Sequence, residues 1–243
     1  MSDETFSPRV NTDNPDPRVP CVLLLDTSSS MLSGGAISEL NKGLEVFAKD
    51  ILEDPLARKR TEVMVIAFGG DVRADPSFVE AQDFQPPKLS ASGVTPLGQA
   101  ILEALSALDQ QKSLYREAGL EYYRPWLIVM TDGAPTDDAG TIASAFSALE
   151  AAQKRHSVTV FPIGIGELAD MDFLNKLSSE RQAVRLRDLG AFTVFFKWLS
   201  ASMTSVSQSS THGADDHAVA KKSETVGQIP LPDATGPKGW ATA

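Results

Sequence analysis

The hydrophobic positions along this chain switch repeatedly between two periods, and the switching lays out the elements. "CVLLLD" (Cys21 to Asp26) is a continuous apolar run, the pattern of a strand buried on both faces. Ile37, Leu40, Leu44, Phe47 and Ile51 then step by three and four, which puts them on one face of a helix. "TEVMVIAF" (Thr61 to Phe68) reads as a second strand and "SFVEA" (Ser77 to Ala81) as a short third. Pro96 opens a further helix with Leu97, Ile101, Leu105 and Leu108 on one stripe. Beyond it, "WLIVMTD" is a strand, "TIASAFSALEAAQK" a helix and "SVTVFPIGIG" a strand. "FLNKLSS" is a short helix, "AVRLRD" an edge strand and "FTVFFKWLSASM" the closing helix.

Strands alternating with helices predict an α/β fold, a doubly wound and mainly parallel sheet with helices on both faces. Ligands of such sheets bind beyond the carboxyl ends of the strands, where the strand order reverses. Two strands here, "CVLLLD" and "WLIVMTD", end in an aspartate at that edge. The domain is expected over residues 19–205. Residues 1–18, rich in Pro, Asp and Asn, form an extended arm, and residues 206–243, rich in Ser, Gly, Pro and charge, a flexible polar tail. "HGADDH" (His212 to His217) has metal-binding residue types, but in a polar, aperiodic tail it reads as a solvated stretch.

Composition narrows the function classes. The 243 residues suit one sizeable domain with tails, or two small ones, and the longest apolar runs fall far short of the roughly 20 residues that cross a bilayer. The first 20 residues show neither a basic segment nor an apolar core, so no secretory signal is read there and a cytoplasmic location is expected. Cys21 is the only cysteine, which excludes an internal disulfide and suits a buried, inert thiol. With a net charge of −10 and no basic cluster beyond "ARKR", nucleic acid is a poor partner, whereas a cation or a basic surface is a natural one.

The candidate chemistry sits at the strand ends. In "DTSSS", Asp26, Ser28 and Ser30 alternate, so an extended or gently turning segment aims all three at one point, with Ser29 directed away. Thr95 follows a glycine and a valine in "SASGVTPLG", and Asp132 precedes a turn-permitting Gly133 in "VMTDGAP". Two carboxylates and three hydroxyls are all hard oxygen donors, a set that suits Mg²⁺ or Mn²⁺ and not Zn²⁺ or Cu²⁺. Each residue alone has an ordinary alternative: Asp26 or a serine as a helix cap, Thr95–Pro96 as an N-cap and N1 pair, "TDG" as a plain turn. Asp71, in "FGGD" at the same rim, reads equally as a supporting group or a turn residue.

Taken together, "DTSSS", "GVTPLG" and "MTDGAPTD" resemble the metal-ion-dependent adhesion site of von Willebrand factor A domains, in order and with no member missing. More narrowly, "LLLDTSSSM", "DFQPPKLSASGVTPLGQAI" and "FFKWLSASMTSVSQSS" resemble the small bacterial TerY-like proteins of tellurium-resistance and stress operons. The resemblance implies a Rossmann-like sheet with one short antiparallel strand and a metal held by Asp26, Ser28, Ser30, Thr95 and Asp132. The three hydroxyls would bind directly and the two aspartates mostly through water. It implies Mg²⁺-dependent docking of a partner protein's acidic residue, in the setting of a kinase and a phosphatase of the same operon.

Two other classes compete. A phosphohydrolase of the haloacid-dehalogenase type also places an aspartate after its first strand, but it needs a second aspartate two residues on as general acid, where this chain has Ser28. Lys112 is the only lysine between Thr95 and Asp132, and it falls deep in a helix. A Ser/His/Asp hydrolase has only His156 within the domain, placed at a helix end where a cation is favoured, and neither a P-loop nor a G-x-G-x-x-G is present. The third class is a scaffold that leaves its metal site unused.

Overall fold

In a computed structural model that describes residues 8–75, 77–188, 190–223 and 240–242, one sheet organises the chain. The core strands are β1 (Val19–Asp26), β2 (Thr61–Gly69), β5 (Trp126–Thr131), β6 (Thr159–Ile165) and β7 (Val184–Leu186). Shorter strands are β3 (Asp71–Ala74), β4 (Val79–Glu80) and β8 (Trp240–Thr242). The order is β3-β2-β1-β5-β6-β7-β8, with β4 pairing β2 off this path. The strands β2, β1, β5, β6 and β7 run parallel. β3 and β4 pair β2, and β8 pairs β7, in the antiparallel sense. The doubly wound sheet matches the sequence expectation, but with three short antiparallel strands where one was expected. "AVRLRD" is correspondingly not the edge, because β8 lies outside β7.

Alternation along each parallel strand builds two cores. From β1, Cys21, Leu23 and Leu25 face one layer with Val63, Val65, Ile128, Met130, Phe161 and Ile163. That layer is closed by α1 (Ala36–Ile51) and α6 (Gly190–Gln208). Val22 and Leu24 face the other, with Met64, Ile66, Leu127 and Val129, beneath α3 (Leu97–Glu117) and α4 (Ala139–Lys154). This two-sided burial is why the strands read as continuous apolar runs. Two short helices, α2 (Ala57–Arg60) and α5 (Met171–Asn175), fill connections. Cys21 is fully buried, and burial pushes its thiol far above the usual range, as an inert core thiol requires.

Both ends of the domain differ from the expected arm and tail. Arg18 is buried, with Nε 2.9 Å from Glu62 Oε1, and its other nitrogens donate to the carbonyls of Asn11, Asn14 and Asp16. That hydrogen-bonded hub pins the arm across the amino end of the sheet. At the other terminus, α6 runs past residue 205 to Gln208, and α7 (Asp216–Ser223) follows. Asp216 pairs with the buried Lys112 at 2.9 Å and accepts from the Tyr122 hydroxyl at 2.9 Å. His212 contacts the Glu121 carboxylate and packs edge-on to the Tyr123 ring. The "HGADDH" stretch is therefore folded onto the domain rather than solvated. Its pattern misled because these are polar contacts, which leave no hydrophobic period. The rest of the expected tail, 224–239 and 243, lies outside the described residues.

Candidate metal centre

The sheet reverses direction at β1: the chain leaves it for β2 on one side and later returns to β5 on the other. A crevice at such a reversal is where doubly wound folds place ligands. Asp26 is the last residue of β1 and Asp132 follows the last residue of β5, so the two carboxylates flank it.

The hydrogen bonds join four of the five expected residues in one line. Asp26 is fully buried, and its Oδ1 accepts from the Ser28 amide at 2.7 Å. Ser28 Oγ lies 2.9 Å from Ser30 Oγ, and Ser30 Oγ donates to Asp132 Oδ1 at 2.6 Å. Ser28 is buried whereas Ser30 is exposed, so the line climbs from the sheet to the surface. Ser29 is exposed and engages through its amide, which donates to the Gly93 carbonyl at 3.0 Å.

Thr95, the fifth residue, is held through its backbone by the loop that follows β5. Its amide donates to Thr136 Oγ1 at 3.0 Å, and its carbonyl accepts from the Thr136 amide at 2.9 Å. On its other side, the Ser92 amide donates to the Thr27 carbonyl at 2.7 Å, and the Gly70 amide to the Val94 carbonyl at 2.8 Å. The approach is so close that a Cβ on Gly93, whose φ is +75°, would sit 2.4 Å from Gly70 Cα. The simple N-cap explanation of Thr95 fails. Asp137 closes the amino end of α3 instead, its carboxylate accepting from the Gly98 and Gln99 amides at 2.9 and 3.0 Å.

Three participants went unnoticed in the sequence. Thr131, directly before Asp132, donates its hydroxyl to Asp26 Oδ2 and so orients that carboxylate. Thr136 and Asp137 belong to the same "TDGAPTDD" loop and lock the Thr95 loop and α3 to it. The visible signal was the density of Thr and Asp in that loop; their pairing depends on tertiary register, which local sequence does not encode. Asp71 is the first residue of β3, opposite Gly69 of β2, exposed and paired with Arg73 at 3.0 Å.

Electrostatically the cluster calls for a cation. Burial lifts the Asp26 carboxyl above its ordinary range, opposed by the hydrogen bonds from Ser28 and Thr131 and reinforced by the charge of Asp132. Neither Asp26 nor Asp132 takes part in an ion pair with Lys, Arg or His among the described residues. Lys112, the only lysine between Thr95 and Asp132, is at the opposite end of the sheet, 3.5 Å from the Ser157 carbonyl just before β6.

The donor geometry also fits a small divalent ion. Metal–oxygen bonds of about 2.0–2.1 Å place neighbouring oxygens of an octahedral shell about 2.9 Å apart. The Ser28–Ser30 and Ser30–Asp132 separations of 2.9 and 2.6 Å are close to that spacing. No group of three or more His, Cys, Asp or Glu side chains placed to hold a metal occurs among the described residues. A cation here would depend on hydroxyls as much as carboxylates, and its charge would be only partly neutralised.

Comparison with known proteins agrees with this architecture. The family model for the von Willebrand factor type A domain matches residues 21–197. Human inter-alpha-trypsin inhibitor heavy chain H6 is 26% identical over 169 residues, which are 68% of this chain but 13% of that protein. Among solved structures, a von Willebrand factor type A protein from Catenulispora acidiphila superposes with a TM-score of 0.61 at 18% identity, over 78% of this chain and 43% of that one. Manganese-loaded Plasmodium vivax TRAP superposes with a TM-score of 0.51 at 20% identity, over 68% of this chain and 63% of the other. At these identities the structural likenesses show the fold, and the chain spans less than two thirds of each of these relatives. With the family match covering both aspartate-tipped strands, the chain belongs to the von Willebrand factor type A domain family.

Proposed function

We propose that this protein is a docking module that captures a partner's carboxylate through a divalent cation, Mg²⁺ or Mn²⁺, held by Asp26, Ser28, Ser30, Thr95 and Asp132. The observation that carries the reading is the hydrogen-bonded line from buried Asp26 through Ser28 and Ser30 to Asp132, open to solvent at its outer end. When bound, the cation supplies a Lewis-acidic point that attracts one more anionic oxygen. The chain's own part is to hold the oxygens in register and to present them at an accessible rim. The manganese in the TRAP structure supports a divalent ion on this fold.

The binding reading is favoured over phosphohydrolysis because position 28 carries no acid and Lys112 is at the far end of the sheet. The narrower setting we propose, a cytoplasmic adaptor in a bacterial tellurium-resistance or stress system acting beside a kinase and a phosphatase, rests on the TerY-like resemblance of three sequence stretches. A pull-down from native host lysate, with Mg²⁺ or with EDTA, on wild type and Asp26→Ala, tests the docking. A partner lost in both EDTA and the variant supports it. A partner retained in every condition would move the binding face elsewhere.

A further inference from the structure

The five large apolar side chains exposed among the described residues are not spread evenly. Leu32 (62% exposed) is two residues beyond Ser30, Val94 (55%) directly precedes Thr95, and Leu168 (94%) lines a cavity together with Ser30 and Asp132. That cavity has a volume of about 380 Å³. Its lining includes Ile165, Leu186 and Phe192, themselves buried, with Leu168 and Arg187 also contributing.

Gly34 and Gly166 both line it at positive φ, +63° and +77°, and a Cβ on either would meet nothing within 4 Å. Apolar depth with a polar lip is the anatomy of a side-chain pocket.

The lip decides the occupant. Asp132, Glu167 and Asp188 line it with Arg187, and Glu167 is paired with Arg185 and Arg187 at 3.6 and 3.9 Å, on a chain of net charge −10. The net charge disfavours a ligand carrying many acidic residues, and the apolar depth favours an uncharged side chain. In an extended peptide, side chains two positions apart point to the same side. We propose that the pocket is a specificity subsite of the docking centre, taking a large aliphatic or aromatic side chain two positions from the single acidic residue that engages the cation. This rests on the docking reading above and adds the partner's recognition pattern to it. The cation selects the carboxylate, and the pocket selects its neighbour.

The test uses the full chain and a set of immobilised extended peptides, each with one aspartate or glutamate. The residue two positions away, on either side, is Gly, Ala, Leu, Phe or Lys. Binding is measured with Mg²⁺ and with EDTA for wild type, Ser33→Trp, Leu168→Ser and Asp26→Ala. Ser33 is an exposed lining residue in extended backbone, so tryptophan there fills the pocket from the lip without entering the core. Circular dichroism establishes that each variant is folded. Expected is a preference of about ten- to hundredfold for Leu or Phe over Gly, the scale of burying one such side chain. Ser33→Trp should collapse that ratio towards one, and Leu168→Ser should reduce it. Mg²⁺-dependent binding with equal affinity for all five residues would overturn the subsite and leave the docking centre standing. Binding indifferent to EDTA and to Asp26→Ala, or no binding by any peptide, would overturn both.

Discussion

Ser30 and Asp132 are 102 residues apart in sequence, yet the Ser30 hydroxyl donates to the Asp132 carboxylate at 2.6 Å across the sheet's point of reversal. That bond ties the loop after the first strand to the loop after the central one. Its oxygens are the exposed end of the cluster. Ser30→Ala or Asp132→Ala should therefore leave the fold intact and weaken divalent-ion binding by tenfold or more, measured by isothermal titration with Mn²⁺.

Thr131 acts one step behind. Its hydroxyl orients Asp26 and contributes to holding that buried carboxylate in its charged form. Thr131→Val keeps the shape and removes the donor. Partners of this kind are commonly worth about 10–100-fold in metal affinity, and a loss in that range is expected by the same titration.

Asp137 closes α3, its carboxylate accepting from the Gly98 and Gln99 amides. Asp137→Ala should cost about 1 kcal/mol, the usual value of a lost cap. For a domain of this size that corresponds to a melting temperature lower by about 2–4 °C. Scanning calorimetry reads it directly.

Gly93 sits where a side chain has neither a permitted backbone conformation nor room. Its φ is +75° and Gly70 Cα blocks the Cβ position. Gly93→Ala should destabilise the protein by more than the roughly 1–2 kcal/mol that left-handed backbone alone costs. It should also loosen the Thr95 loop, visible as faster amide hydrogen exchange at Ser92, Val94 and Thr95.

Asp75 supplies a pH signature away from the centre. Its carboxylate accepts from the Val65 amide at 2.9 Å, but burial outweighs that bond and raises its proton affinity. The folded chain therefore holds this proton to higher pH than the unfolded chain, whose carboxylate titrates near about 3.9. The resulting stabilisation is full below the unfolded value and is lost as pH rises through the raised folded value. Relative to Asp75→Asn, wild type should be most stable at acid pH and lose ground on the way to neutral, in urea titrations at matched pH.

The cores and the convergence of Asp26, Ser28, Ser30 and Asp132 were legible for the same reason: both rest on short-range pattern. Continuous apolar runs such as Val22 to Leu25 announce burial on two faces, and an aspartate at the end of such a run announces the ligand edge. What remained hidden depended on contacts between distant polar groups. Arg18 with Glu62, Asp216 with Lys112 and Thr131 with Asp26 carry no periodicity, so an arm and a tail seemed loose when their described parts are folded. β3 was missed because its alternation spans only four residues, Asp71–Ala74. The cavity that Leu168 shares with Ser30 and Asp132 was unreadable because it is built from segments far apart in sequence.

The cation itself is the most direct test. Titrating Mn²⁺ into wild type, Asp26→Ala and Ser30→Ala, with free Mn²⁺ followed by electron paramagnetic resonance, counts sites without needing a partner. One Mn²⁺ bound per wild-type chain, displaced by excess Mg²⁺ and lost in both variants, is the predicted result. No bound Mn²⁺ in wild type, or equal binding in all three chains, would contradict the assignment of these residues to a metal centre.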